Sequence, residues 1–294
     1  MDSPASPPRS KTGRSRRPLG RDLPTAIATG LALGAAFLIS LFAHPYAFLA
    51  LVAAVVVVAL LELDVGLRAR DLRPATPVAV GAGVVMVFGA YASGRSGQSL
   101  GLMLLLLGVV VWLLVDAAAH RAIREGRSER ILAALGATCL VTLWVPLLAS
   151  FAGLLLAREG TGRWLVATVV GLTVVNDIAA FGWGVRFGST PLAPAISPGK
   201  TWEGFAGGLG TVLAVATVVA WLTPLLDLRS ALILGAVITV AATLGDLSES
   251  LVKRDLGVKD LGAILPGHGG IMDRVDALLF AFPAAELTLR ALGM

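Results

Sequence analysis

Apolar residues in this chain come in long blocks instead of alternating with polar ones. Nine blocks stand out, at roughly 24–43, 45–62, 76–93, 98–118, 131–156, 164–184, 204–225, 229–247 and 272–290. Each approaches the ~20 residues that a helix needs to cross a hydrocarbon core. Val, Ala, Leu and Gly dominate the blocks, and the two-residue period of a membrane barrel strand is absent, so they predict helices. The expected class is all-α: a polytopic integral membrane protein of about nine transmembrane helices.

Composition agrees. The chain has 294 residues, 56% of them hydrophobic and only 15% charged, which excludes an ordinary soluble domain. Its single cysteine, Cys139, lies inside an apolar block, so no internal disulfide can form. Residues 1–22 are rich in Ser, Pro and Arg without apolar periodicity, and predict a disordered basic tail.

Positive charge sets the orientation. The tail is basic, the 62–75 loop carries Arg68, Arg70 and Arg73, and the 119–130 loop carries Arg121, Arg124, Arg127 and Arg130. The intervening turns hold only His44 and Arg95. This alternation predicts a cytoplasmic N-terminus. With nine spans it also places the 185–203 and 248–271 loops on the cytoplasmic side. The acids at the ends of the sixth, eighth and ninth blocks, Asp177, Asp246 and Asp273, then share one face, although none of them was used to assign the topology.

The polar exceptions concentrate late in the chain. Between Leu244 and Ala277 lie Asp246, Glu249, Asp255, Asp260, Asp273 and Asp276, four cations and His268. Ionisable groups at the ends of membrane helices are costly unless they pair, bind metal or bind substrate. Asp246, Glu249, Ser250 and Lys253 follow i, i+3, i+4, i+7 spacing and share one face if the eighth helix continues beyond the membrane. Asp273 and Asp276 are i, i+3 at the start of the ninth. Between them, Pro266-Gly267-His268-Gly269-Gly270 lets backbone approach a ligand closely. Hard oxygen ligands on neighbouring helix ends suit Mg²⁺, whereas His and Cys are too few for zinc. An interfacial salt-bridge network is the competing explanation, but it accounts for neither the glycine turn nor Asp177. The earlier spans carry few polar residues, so residues 23–160 read as a transmembrane scaffold and 161–294 as the catalytic transmembrane region.

The 185–203 loop contains Gly199-Lys200-Thr201, part of a phosphate-binding P-loop pattern. That pattern needs Gly at position 194, which is Pro194, and a soluble parallel sheet. The P-loop is rejected, but the chemistry stays. Lys200 suits a phosphate, Ser197 and Thr201 offer hydroxyls, and Glu203 can orient Lys200 or hold a metal. Carboxylates for a divalent metal, several cations and a glycine turn at one membrane surface suggest phosphoryl or nucleotidyl transfer on a lipid head group.

Ser250-Leu-Val-Lys253-Arg254, then Lys259-Asp260, then Pro266-Gly-His268-Gly-Gly-Ile-Met-Asp273-Arg274-Val-Asp276 closely resembles the signature of the phosphatidate cytidylyltransferases. Ser197-Pro-Gly-Lys200-Thr-Trp-Glu203-Gly and Gly245-Asp246-Leu-x-Glu249-Ser match that family's upstream motifs. The resemblance covers about residues 170–280. One departure is Ala180-Phe181, where the family usually has Ala-Tyr after the acid corresponding to Asp177.

The resemblance implies the reaction CTP + phosphatidate → CDP-diacylglycerol + pyrophosphate, with Mg²⁺ and a second cation such as K⁺. It further implies a homodimer in a bacterial inner membrane with the site on the cytoplasmic side. No nucleic-acid partner is expected. By position, Asp246 and Asp273 become the principal metal carboxylates, supported by Asp177, Glu249 and Asp276. Lys200, Lys253, Lys259 and Arg274 become phosphate ligands. Ser197, Glu203, Arg254, Gly267 and Gly269 complete the substrate-binding set. His268 either donates to a phosphate or leaving group or simply holds the glycine turn. A different head-group enzyme and a cation-coupled transporter are the rivals. The transporter predicts repeats and acids at mid-membrane depth, and the sequence has neither.

Overall fold

The structure, a computed structural model, describes residues 23–120, 128–262 and 269–294. The basic tail, Arg121, Arg124 and Arg127, and Gly267 and His268 lie outside the described residues.

Ten helices follow in chain order: α1 (Leu23–Ala43), α2 (Pro45–Arg68), α3 (Thr76–Ser93), α4 (Arg95–His120), α5 (Ser128–Trp144), α6 (Pro146–Leu156), α7 (Gly162–Phe187), α8 (Trp202–Leu222), α9 (Leu228–Leu256) and α10 (Met272–Ala291). The apolar blocks lie in helix, except that α8 ends at Leu222, three residues before its block does. The 131–156 block is shared by α5 and α6, because Pro146 has no N–H for the helical ladder and interrupts it there. Seven described helical stretches are long and apolar enough to cross a membrane, fewer than the nine expected. The described apolar part of α1, Ala28–Ala43, is short, and α10 carries Asp273, Arg274, Asp276, Glu286 and Arg290. The chain is an all-α membrane protein with one exception: the 185–203 loop folds into an antiparallel hairpin, β1 (Pro191–Ala193) and β2 (Ser197–Thr201).

Chain ends and turns sort to two ends of the bundle. At one end, Arg163 donates to the Phe42 carbonyl and Trp164 packs on Phe42. There too Arg158 and Arg290 both bind the buried Glu286. At the other end gather the tip of α2, the hairpin, the end of α9 and the start of α10.

Two features position that second end. α9 runs 29 residues, about 43 Å at 1.5 Å per residue, and stops at Gly257, whose φ of 70° is left-handed. It therefore continues past Asp246 and keeps Asp246, Glu249 and Lys253 on one face. Gly245 lets α10 lie against it: a Cβ at this position would fall on the Asp276 carbonyl. Close approach through small residues is how membrane helices pack without a hydrophobic drive. α7 and α8 use the same device, since Gly204 meets the Ala180 carbonyl and Gly208 meets Asn176 and Ala180.

Candidate active site

The carboxylates arrive from three helices. Asp246 and Glu249 project from α9, and Asp276 comes from the first turns of α10 across the Gly245 contact. One oxygen from each lies within 4.8 Å of the others. Glu249 and Asp276 are buried, and Glu249 Oε1 has no hydrogen-bond partner. A buried carboxylate oxygen without a donor is costly. Here it faces two further carboxylates, so the set fits a hard divalent cation.

Asp273 stands beside this triad rather than in it. Lys253 Nζ lies 2.5 Å from Glu249 Oε2 and 2.9 Å from Asp273 Oδ1, and so joins the two carboxylates. The other Asp273 oxygen accepts the Gly270 N–H at 2.8 Å. Asp177 comes from α7. Together with Lys200 and Asp246 it lines a cavity of about 390 Å³ between α7, α8, α9 and the hairpin. Phe181, Val185, Leu192 and Phe205 form its apolar wall. Lys200 Nζ sits 2.5 Å from Asp246 Oδ2, with both side chains partly exposed. Five carboxylates thus gather around two ammonium groups, a set rich in hard oxygen donors.

Other expected site residues take supporting places. Glu203 accepts from the Ser189 hydroxyl at 2.5 Å and from the Thr190 N–H at 3.2 Å, so it ties α8 to the segment that leads from α7 into β1, not to Lys200. Thr201 caps α8 by accepting from the Gly204 N–H at 3.1 Å. Arg254 Nε donates to the Ile196 carbonyl at 3.2 Å and fastens the hairpin turn to α9. Ser197 opens β2 opposite Ala193. Lys259 and Arg274 are exposed near the same end, and Gly269, at φ 77°, packs beside Asp273.

Sequence reasoning passed over Glu62. This buried carboxylate at the end of α2 accepts the N–H groups of Ile271 and Met272 at 3.0 and 2.9 Å. Its signal was an acid within a strongly apolar helix.

The geometry can be compared with known proteins. The chain is 35% identical over 293 residues to the phosphatidate cytidylyltransferase of Mycobacterium bovis, covering 97% of this chain and 92% of that protein. It is 39% identical over 272 residues to the phosphatidate cytidylyltransferase of Mycobacterium leprae, covering 88% and 85% respectively. A shorter match, 42% identical over 127 residues, joins it to the Haemophilus influenzae phosphatidate cytidylyltransferase. The sequence model of the cytidylyltransferase family matches residues 24–292, nearly the whole of the region that builds both the scaffold and the carboxylate cluster. The chain belongs to the cytidylyltransferase family.

Proposed function

We propose that the chain transfers the cytidylyl group of CTP to phosphatidate, giving CDP-diacylglycerol and pyrophosphate. Family membership over residues 24–292 carries this reading. The supporting geometry is a carboxylate triad opening beside a part-apolar cavity. A phosphatidate phosphate oxygen attacks the α-phosphorus of CTP. A new P–O bond forms, the α–β P–O bond breaks, and its electron pair leaves with pyrophosphate. The nucleophile is already anionic near neutral pH, so the site's main task is to bring two polyanions together in line.

Asp246, Glu249 and Asp276 would hold Mg²⁺, with Asp177 and Asp273 at the margins of the set. An ion held there would supply neutralisation of phosphate charge. A second cation such as K⁺ would find oxygen donors at Asp177 and Asp273, outside the triad. Lys200 exchanges Asp246 for an incoming phosphate. Lys253 keeps Glu249 and Asp273 at fixed separation. Lys259 and Arg274 stand at the rim, where CTP arrives. The wall of Phe181, Val185, Leu192 and Phe205 gives acyl chains a lateral way in from the bilayer. Phe181 is exposed and carries no hydroxyl, so this position contributes apolar surface only. His268, outside the described residues, would act as phosphate donor or as support for the glycine segment of the signature. Nine spans, a cytoplasmic N-terminus and site, a bacterial inner membrane and a homodimer complete the proposal.

Pyrophosphate release from purified protein tests it. Release should require CTP, phosphatidate and Mg²⁺ together. It should fall at least about a hundredfold in Asp246→Asn and in Asp273→Ala, the loss expected when several kcal/mol of charge stabilisation disappear. Well-folded wild-type protein that releases none with these substrates would refute the reaction.

A further inference from the structure

We infer that Glu62 is a positioning residue, which fastens the signature loop and the start of α10 to the transmembrane scaffold. The inference rests on the reaction proposed above.

Glu62 lies on α2, outside every motif that marks the site. Its side chain is 4% exposed. Both oxygens are used, Oε1 by the Ile271 N–H and Oε2 by the Met272 N–H. These N–H groups belong to the N-terminus of α10, where the helical ladder leaves donors unpaired and the dipole favours an anion. A charged acceptor in a site dry enough to be buried makes these bonds strong. Gly262 and Gly270 both lie against the carboxylate. A Cβ on Gly270 would stand 2.6 Å from Oε2, and a Cβ on Gly262 would collide with the same group.

The turn that follows α2 holds the other end of the loop. Arg70, two residues past the end of α2, donates Nε to the Leu256 carbonyl at 3.2 Å, at the last residue of α9. Between them, Gly66 leaves room for Leu256 and Leu261. The end of α2 and the turn after it therefore grip the chain where it leaves α9 and where it begins α10.

This grip bears on the reacting groups through Asp273 and Asp276. Gly270 donates to Asp273 and is followed immediately by the two residues held by Glu62. Fixing residues 270–272 fixes where α10 starts. That sets the register of Asp273 against Lys253 and of Asp276 against Asp246 and Glu249. Without Glu62, α10 can still pack through Gly245, but its first turn is free to fray.

The test uses the full chain in detergent, with wild type, Glu62→Gln, Gly270→Ala and the control Leu289→Ala. Leu289 is a buried core residue at the far end of α10. Glu62→Gln keeps one acceptor and turns an amide NH₂ toward an N–H group. It should lower kcat about 10–100-fold, the range for groups that orient ligand residues, and raise the Mg²⁺ concentration for half-maximal rate. KM for CTP should move by less than about threefold, because no substrate contact is removed. Amide exchange at 269–273 should speed up in Glu62→Gln and in Gly270→Ala, while exchange in the middle of α9 stays unchanged. Leu289→Ala should lose thermal stability but keep kcat and slow exchange at 269–273. Glu62→Gln turnover within about twofold of wild type would overturn the inference, as would unaltered exchange. Inactive wild-type protein would instead refute the reaction, and the exchange data would still decide the grip.

Discussion

Lys200 and Asp246 meet at 2.5 Å with 24% and 39% of their side chains exposed. An ion pair this open is worth little, so an arriving phosphate displaces it at small cost. Lys200→Met should therefore raise KM for the substrate it contacts by about tenfold, one charge-assisted contact's worth, and steady-state kinetics at two ionic strengths will check it. Arg254 has a different task. Its bond to Ile196 holds a turn and touches no carboxylate of the cluster. Arg254→Ala should loosen the hairpin, seen as faster proteolysis between residues 190 and 200, with a smaller kinetic effect than Lys200→Met. At this scale the sequence was legible where chemistry follows local spacing. Asp246, Glu249 and Lys253 were readable from i, i+3, i+7 alone. Glu62 was not, because its partners lie 209 and 210 residues away and are backbone N–H groups, which leave no mark in side-chain pattern.

Between elements, the decisive contact is Gly245 against the backbone of α10. Gly245→Leu should force the two helices apart, lower the unfolding midpoint by an amount corresponding to about 1–3 kcal/mol, and abolish turnover by separating Asp246 from Asp276. A thermal-shift measurement beside the pyrophosphate assay checks both. The helices themselves were readable as apolar blocks, while the extension of α9 beyond its block stood only as the condition for its acids to share one face. The hairpin was hidden, since three- and five-residue strands containing Pro191 and Pro198 show no alternation. The division of α5 from α6 was equally hidden: hydropathy stays high across Val145 and Pro146, and only the missing N–H interrupts the helix.

Across the whole molecule, the two ends do different work. Opposite the site, Glu286 is 3% exposed and binds Arg158 and Arg290. Glu286→Ala should cost about 3–5 kcal/mol of stability by stranding Arg158, while leaving the catalytic rate of the folded fraction intact. Orientation can be read in a Cys139→Ser background. Cysteines at Ser93 and Thr223 should react with an impermeant thiol reagent from outside intact cells, and one at Ser189 only after permeabilisation. Charge alternation is what this expected topology rests on, whereas the packing of α2 against the start of α10 depends on tertiary contact that hydropathy does not record. The length of α9 carries a further consequence. Counted from Leu228, Asp246 stands about 27 Å along the helix. With Leu228 at one edge of a ~30 Å hydrocarbon core, Asp246 would come close to the other edge and Glu249 and Lys253 would pass it. The reacting groups would then meet the lipid in the head-group layer, and phosphatidate would not need to leave its leaflet. Turnover should then follow the mole fraction of phosphatidate in the surface, not its amount per volume. Adding inert detergent at constant phosphatidate should slow the enzyme by surface dilution alone.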